Sequence, residues 1–375
     1  ARASTSLNRL NITCGSGTDV TLPTAVNADV SRTYKIWIVL GICLLLVGAS
    51  FVISLTVGSR STGFMDSLRV MPESLRYAFD SNYAGNMAFN DLVVLIGGLR
   101  VPRTVLALLT GVALGGAGAL IQGHTRNPLA DPHILGINAG AALAVVIAVY
   151  AGVGTEPGNL VLPAIIGCAI TAGLVFLISS FGPVAMNPLA LILAGVALAA
   201  LFMGLVNALV LNNSLSLDAL RAWSTGSVGD RDMGVVRAVF WPFLIGAVLC
   251  LFQGRGLNLL SLGESVAATL GLPVTRTRIL GLTTVALLGG AAVAGAGPVG
   301  FIGLAAPHIV RAIAGHDYRI IIPLSMVVGG MLGLWADILG PLVAHPGEIA
   351  MGIVVALFGV PLFIALVKRG LVTEV

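Results

Sequence analysis

Apolar runs near the roughly 20 residues needed to cross a bilayer recur along this 375-residue chain. Ten are legible, at about 36–57, 101–122, 134–152, 160–180, 189–211, 235–253, 279–297, 301–314, 320–340 and 348–368. The eighth is short, and "GAGPVG" (295–300) splits it from the seventh. Long apolar runs dominate over short alternating ones, which argues against the period-two strands of an outer-membrane barrel. The pattern therefore predicts an all-α integral membrane protein with about ten transmembrane helices over 36–370. Polar sequence collects in four places: 1–35, 58–98, 253–278 and 371–375. The first has no short apolar core before a cleavage site, so it reads as a tail and not as a signal peptide.

Composition agrees. The chain is 57% hydrophobic and 10% charged, with mean hydropathy +1.00, whereas soluble domains carry roughly 25% charged residues. Glycine supplies 48 residues, nearly twice its usual share of about 7%, and small residues are favoured where membrane helices pack closely. Placing the N-terminus inside puts twelve Lys and Arg on the cytoplasmic side and eight outside, as the positive-inside rule requires. Both tails and 253–278 are then cytoplasmic, and 58–98 is an outer loop. The net charge of +4 is thus topological and implies no nucleic-acid partner. Cys14, Cys43, Cys168 and Cys250 form no C-x-x-C pair; they read as small core residues, neither a disulfide framework nor a metal site.

One polar stretch interrupts the apolar pattern. "QGHTRNPLADPHILGINAGA" (122–141) gathers an Arg, an Asp, two His, two Asn and two Pro between apolar runs. It has an echo: "LADPHILGINAG" (129–140) aligns with "LAAPHIVRAIAG" (304–315), and "GGAGALIQG" (115–123) resembles "AGAGPVGFIG" (294–303). The offset of 175 spans five predicted helices, an odd number, so the two copies are expected to be inverted, which is a transporter signature. Pro128 and Pro132 stop regular helix. Arg126, Asn127 and Asp131 are expected to cap the broken ends, since polar groups at membrane depth need protein or water around them. Direct substrate contact is the competing reading for these residues.

These segments resemble a known family. "LRVPRTVLALLTGVALGGAGALIQGHTRNPLADPHILGINAGAAL" (99–143) is similar to the FecCD-type permease subunits of ABC importers for ferric siderophores, haem and vitamin B12. "LILAGVAL" (191–198), "WSTGS" (223–227), "LSLGESVAATLGLPV" (260–274), "GPVGFIGLAAPHIVR" (297–311), "LWADILG" (334–340) and "GEIAMGIVVALFGVPLFI" (347–364) follow in the family's order. The resemblance covers roughly 35–370. It implies a BtuC-like permease fold in a bacterial cytoplasmic membrane and a second permease subunit. It also implies two cytoplasmic ATP-binding subunits and an extracytoplasmic substrate-binding protein, with lipid around the whole. No cofactor and no resident metal are implied.

The residues can be read beside that resemblance. There is no G-x-x-x-x-G-K-[ST], so no P-loop binds ATP here, and this chain is not expected to be an enzyme. "GAGPVG" fits G-x-G-x-x-G, but no strand precedes it, Pro298 interrupts it and it lies between spans. Proton-coupled carriers place carboxylates mid-membrane; here Asp337 and Glu348 lie near span ends, which favours an external ATPase over a gradient.

Within 253–278, "GESVAATLGLP" has helical polarity, with Glu264 suited to the helix dipole and Gly271 and Pro273 ending the helix. The resemblance makes it the ATPase-coupling element, carried by Gly263, Glu264, Ala267, Leu270, Gly271 and Pro273. It also places Trp223, Ser224 and Ser227 at the mouth of the translocation path, and Asn187, Pro188 and Leu189 at an inner gate. "MNPLAL" (186–191) lacks the small hydroxyl pair of some relatives. Arg60, Arg69 and Arg76 are candidates to meet acidic residues of the binding protein, with loop solvation as the plain alternative. Relatives often carry an Arg four residues after the Asp of "AD"; this chain has Pro341 there. His133 and His308 are alternative haem contacts, or satisfied packing residues.

Overall fold

The computed structural model describes residues 25–58, 60, 62–80, 91–180, 188–344 and 347–368, and these are helical with no strand among them. Contacts divide the chain into two units, 1–45 and 46–375. In the first, the described residues begin helix α1 (Ala25–Thr56), eleven residues before the predicted span. Its Ile42, Leu44 and Leu45 are exposed apolar side chains, as a lipid-facing helix requires.

The second unit continues with α2 (Phe64–Phe79), a short turn Asp91–Val94, a π-helical segment Leu95–Arg100, and α3 (Val101–Thr125). A 3-10 turn (Pro132–Leu135) precedes α4 (Ile137–Tyr150), then α5 (Pro157–Ser179), α6 (Pro188–Val210), α7 (Ser214–Ser224) and α8 (Met233–Phe252). Two short helices, α9 (Gly254–Ser261) and α10 (Glu264–Thr269), lead to α11 (Val274–Ala296), α12 (Ile302–Ala314), α13 (Tyr318–Val343) and α14 (Met351–Lys368).

Seven stretches among the described residues are long and apolar enough to cross a membrane: Ile38–Thr56, Asp91–Thr125, Pro157–Ser179, Leu189–Val210, Met233–Phe252, Val274–Ala296 and Tyr318–Val343. Three shorter apolar helices join them, Ile137–Tyr150, Ile302–Ala314 and Met351–Pro361. Together they account for all ten predicted runs, and the split at "GAGPVG" is real.

The segment expected as an outer loop is largely helical. In α2, Ser67, Ser74 and Ala78 are buried, spaced seven and four apart on one face. With Val70, Met71 and Leu75 that face packs on Leu55, Ile96 and Val101. The charges between them made it read as a loop. Arg100 seals this corner: its guanidinium, nearly buried, donates to the carbonyls of Leu55 (3.2 Å), Thr56 (2.8 Å) and Arg60 (2.7 Å) and to Thr62 Oγ1 (2.9 Å).

Helix α3 is the centre of the unit and packs on α13, α11, α12 and α8. Part of its seam with α13 is backbone against backbone. A methyl group at Gly111 or Gly115 would overlap the carbonyl oxygens of Gly329 and Ser325, the small-residue spacing by which membrane helices approach closely. Against α11 the order runs backwards: Leu106 meets Gly295, Leu288 meets Gly116, and His124 meets Gly281. So α3 and α11, the long helices that precede the two sequence copies, are antiparallel, and the repeat is inverted as its odd helix count predicted.

Candidate functional site

Two polar regions lie at opposite ends of α3. The first gathers the break and the segment 253–278. Arg126 closes α3 in the left-handed conformation, φ 49°. Asn127 Oδ1 accepts the Leu129 amide at 2.9 Å. Asp131 Oδ1 accepts the His133 amide at 2.9 Å, capping the 3-10 turn at which Pro132 is the first residue. Asp131 thus caps the 3-10 turn by its side chain, while Asn127 closes a turn between the two helical pieces. Pro128 is half-buried and Pro132 is buried; Pro132 fits against Gly303, where a methyl group would come within 2.8 Å of its ring. The His133 ring contacts the Val299 carbonyl at 3.0 Å, and His308 is buried within α12.

The predicted coupling helix is α10. Gly263 (φ 107°) and Gly271 (φ 86°) bracket it with backbone conformations that L side chains rarely adopt. Val266 and Leu270, four residues apart, are exposed apolar side chains, 43% and 58% accessible, and Leu262 is exposed just before Gly263. Ala267 faces inward and is fully buried, so within the expected coupling element it packs against the protein itself. Pro273 precedes α11 and is exposed. Glu264 Oε1 accepts hydrogen bonds from Arg126 Nη2 at 3.2 Å and from Arg278 Nη2. Thus the break and α10, separate motifs in the sequence, share one carboxylate. Asn258 ties α9 to α13, donating to Asp317 Oδ1 (2.7 Å) and accepting the Tyr318 amide (2.8 Å).

Deeper on the same side, Gln122 is completely buried. Its Oε1 accepts Arg311 Nη1 at 2.6 Å, and its Nε2 donates to the carbonyls of Gly303 and Leu304 at 3.4 Å each. This amide joins α3 to α12.

The second region lies at the other end of α3. Arg103 donates to Asp337 Oδ1 (2.7 Å) and Glu348 Oε2 (2.5 Å). The two span-end carboxylates are thus consumed by one cation. Partners 234 and 245 residues away leave no local signal in the sequence. Nearby, Gly226 O accepts the Gly352 amide at 2.8 Å, and Gly226 and Gly297 press on Pro298 and Trp223. "WSTGS" therefore packs on "GPVG" and on the start of α14. Trp223 is 5% accessible, Ser224 is exposed, and Ser227 is half-buried with its hydroxyl accepting the Gly229 amide at 3.1 Å. Trp223 and Ser227 line a 370 Å³ pocket with Asp218, Asp230 and Arg231. Burial lowers the Arg231 guanidinium below its ordinary pKa, and the neighbouring Asp230 acts the other way.

The remaining candidates are dispersed. Asn187 lies outside the described residues; Pro188 begins α6, and Leu189 is exposed. The 23 residues of α6 put Leu189 roughly 30 Å of helix from α7, at about 1.5 Å per residue. Arg60, Arg69 and Arg76 are all exposed. Arg69 and Arg76 share the outward face of α2 with Asp66 and Glu73, seven residues apart in each pair, so the stripe has mixed charge.

A model of the FecCD transport family matches residues 43–369. The ferric enterobactin transport system permease protein FepD of Escherichia coli (strain K12) is 39% identical over 330 residues, 88% of this chain and 94% of its own. The iron(3+)-hydroxamate import system permease protein FhuB of Bacillus subtilis (strain 168) is 37% identical over 342 residues, 90% of this chain and 85% of its own. Among solved structures, an inward-facing conformation of a metal-chelate type ABC transporter matches with TM-score 0.75 and 30% identity, covering 88% of this chain and 99% of that one.

Proposed function

Because the chain belongs to the FecCD transport family, we propose that it is the permease subunit of an ATP-driven importer that carries a ferric siderophore across the cytoplasmic membrane by alternating access. The observation that carries this reading is α10: a glycine-bracketed helix outside the membrane spans, with Val266 and Leu270 exposed and a charged tie to the central helices. Exposed apolar side chains on a helix suit a groove on a partner. That partner is a cytoplasmic ATPase, one of two, and the permease pairs with a second permease subunit.

The similarity to ferric enterobactin and iron(3+)-hydroxamate permeases supports the ligand class. On this reading the Arg103 end faces outward. There Arg60, Arg69 and Arg76 meet an extracytoplasmic binding protein, where rim charges tune encounter more than affinity. Ser224 and Ser227 stand at the mouth of the path and Trp223 shapes it from behind; Asn187, Pro188 and Leu189 belong to the inner gate. The chain does no chemistry on its cargo, and ATP hydrolysis resides on the separate subunits.

The test is uptake of radio-iron siderophore into proteoliposomes holding the permease, its ATPase and its binding protein. Uptake that requires ATP inside and the binding protein outside is the expected result. Uptake that persists without ATP and collapses with an uncoupler would make the protein a gradient-driven carrier.

A further inference from the structure

We propose that Glu264 is a positioning residue for transport, joining the ATPase-facing helix to the central helices of both halves of the repeat. This rests on α10 being the docking element. The argument begins with how little holds α10. It has six residues and one buried side chain, Ala267. Its polar attachment is Glu264, whose single oxygen Oε1 receives both Arg126 and Arg278.

The two arginines belong to different halves. Arg126 is the C-cap of α3, and Arg278 lies in the first turns of α11. Because α3 and α11 are antiparallel, the end of one and the start of the other meet at the same carboxylate. The limbs are unequal. The Arg278 side chain is 6% accessible and Arg126 is 38% accessible. An exposed pair is screened and weak, whereas a pair with one buried member is screened less. Arg278 is therefore the anchoring limb and Arg126 the steering limb.

Beyond Arg126 the contacts continue. The Asn127 amide bonds the Gln122 carbonyl at 3.2 Å, and the Gln122 side chain holds Arg311, Gly303 and Leu304 of α12. A displacement of α10 thus has a continuous polar route into α11, α3 and α12. A contiguous route is a physical candidate for coupling, and its proof is energetic coupling between its members.

The experiment uses the reconstituted permease–ATPase complex with loaded binding protein. Glu264→Gln keeps shape and removes charge. The expected result is monodisperse protein that still co-purifies with the ATPase, with ligand stimulation, read as a ratio to each variant's own unstimulated hydrolysis, reduced about tenfold. Arg278→Gln should match it, Arg126→Gln should lose less, and Glu264→Gln/Arg278→Gln should be no worse than either single change. Glu264→Asp, which keeps the charge, should recover part of the stimulation.

Wild-type stimulation in Glu264→Gln, additive losses, collapse of folded yield, or loss of ATPase co-purification would each overturn the proposal. Val266→Glu separates it from the docking reading. If Val266→Glu leaves co-purification intact, the docking reading falls and takes the proposal with it. If it abolishes co-purification while Glu264→Gln is stimulated normally, only the Glu264 proposal falls.

Discussion

The two copies of the repeat share Leu, Ala, Pro, His and Ile in register, yet fold differently. In "LADPHILGINAG" the Pro132–Leu135 stretch is an isolated 3-10 turn that ends at Gly136, φ 70°, before α4 begins. In "LAAPHIVRAIAG" the same Pro-His-Ile lies inside the continuous helix α12. Two positions separate them. Asp131 has a carboxylate that captures the His133 amide; its counterpart Ala306 has none and continues the helix. Gly136 accepts a left-handed turn where its counterpart Arg311 keeps helical geometry. In the second half the break comes earlier, at Gly297 and Phe301, with φ 78° and 73°. A duplicated sequence can thus move its helix break by a whole segment through one cap and one glycine. The proline common to both does not decide the matter.

The comparison can be broken most severely from the second copy. Ala306→Asp should give α12 the first copy's cap, but Ala306 is fully buried beside Pro307. An unpaired carboxylate there should cost about 3 kcal/mol or more. Folded yield and the detergent melting temperature should fall sharply; an unchanged melting temperature would mean that α12 tolerates the break and that the contrast is incidental.

The reciprocal change is milder. Asp131→Ala makes the first copy resemble the second and removes one cap, worth about 1 kcal/mol. Yield should drop modestly while ligand delivery and affinity stay as they were. Normal yield with lost transport would instead give Asp131 a functional role.

The gentlest test is labelling, which perturbs nothing. Met65→Cys on α2 and Thr275→Cys at the start of α11 are both exposed sites, one on each side of the membrane in the proposed orientation. An impermeant thiol reagent should reach the first in intact cells and the second only after permeabilisation; the opposite pattern would reverse the orientation.

Much of this arrangement was legible in the sequence because it is written in local terms. Apolar run length gave the ten helices, and Gly and Pro placement gave the break, the "GAGPVG" split and the bounds of α10. What stayed hidden depends on partners distant in sequence. Nothing near Arg103 announces Asp337 and Glu348, and Glu264 read as a helix-dipole charge because Arg126, 138 residues away, is its partner only once the halves are packed. Helix α2 was missed for another reason: its Asp66, Arg69, Glu73 and Arg76 made a half-buried amphipathic helix look like a solvated loop. In Ala267 the residue type was uninformative, since an alanine in a short helix suits either face.

The backbone seam of α3 has a mechanical consequence. Helix α3 is roughly 37 Å long, taking its 25 residues at about 1.5 Å each. One end carries the Arg103 clasp and the other the Arg126 clasp. Between them, Gly111 and Gly115 lie against Ser325 and Gly329 with no side chain in the gap. Side chains absorb strain by changing rotamer, and these two backbone contacts have no such cushion, although Leu108 and Val112 of α3 pack on Gly330 beside them. Sliding of α3 along α13 would drive these glycine backbones into one another, so the close seam favours movement of the two helices together.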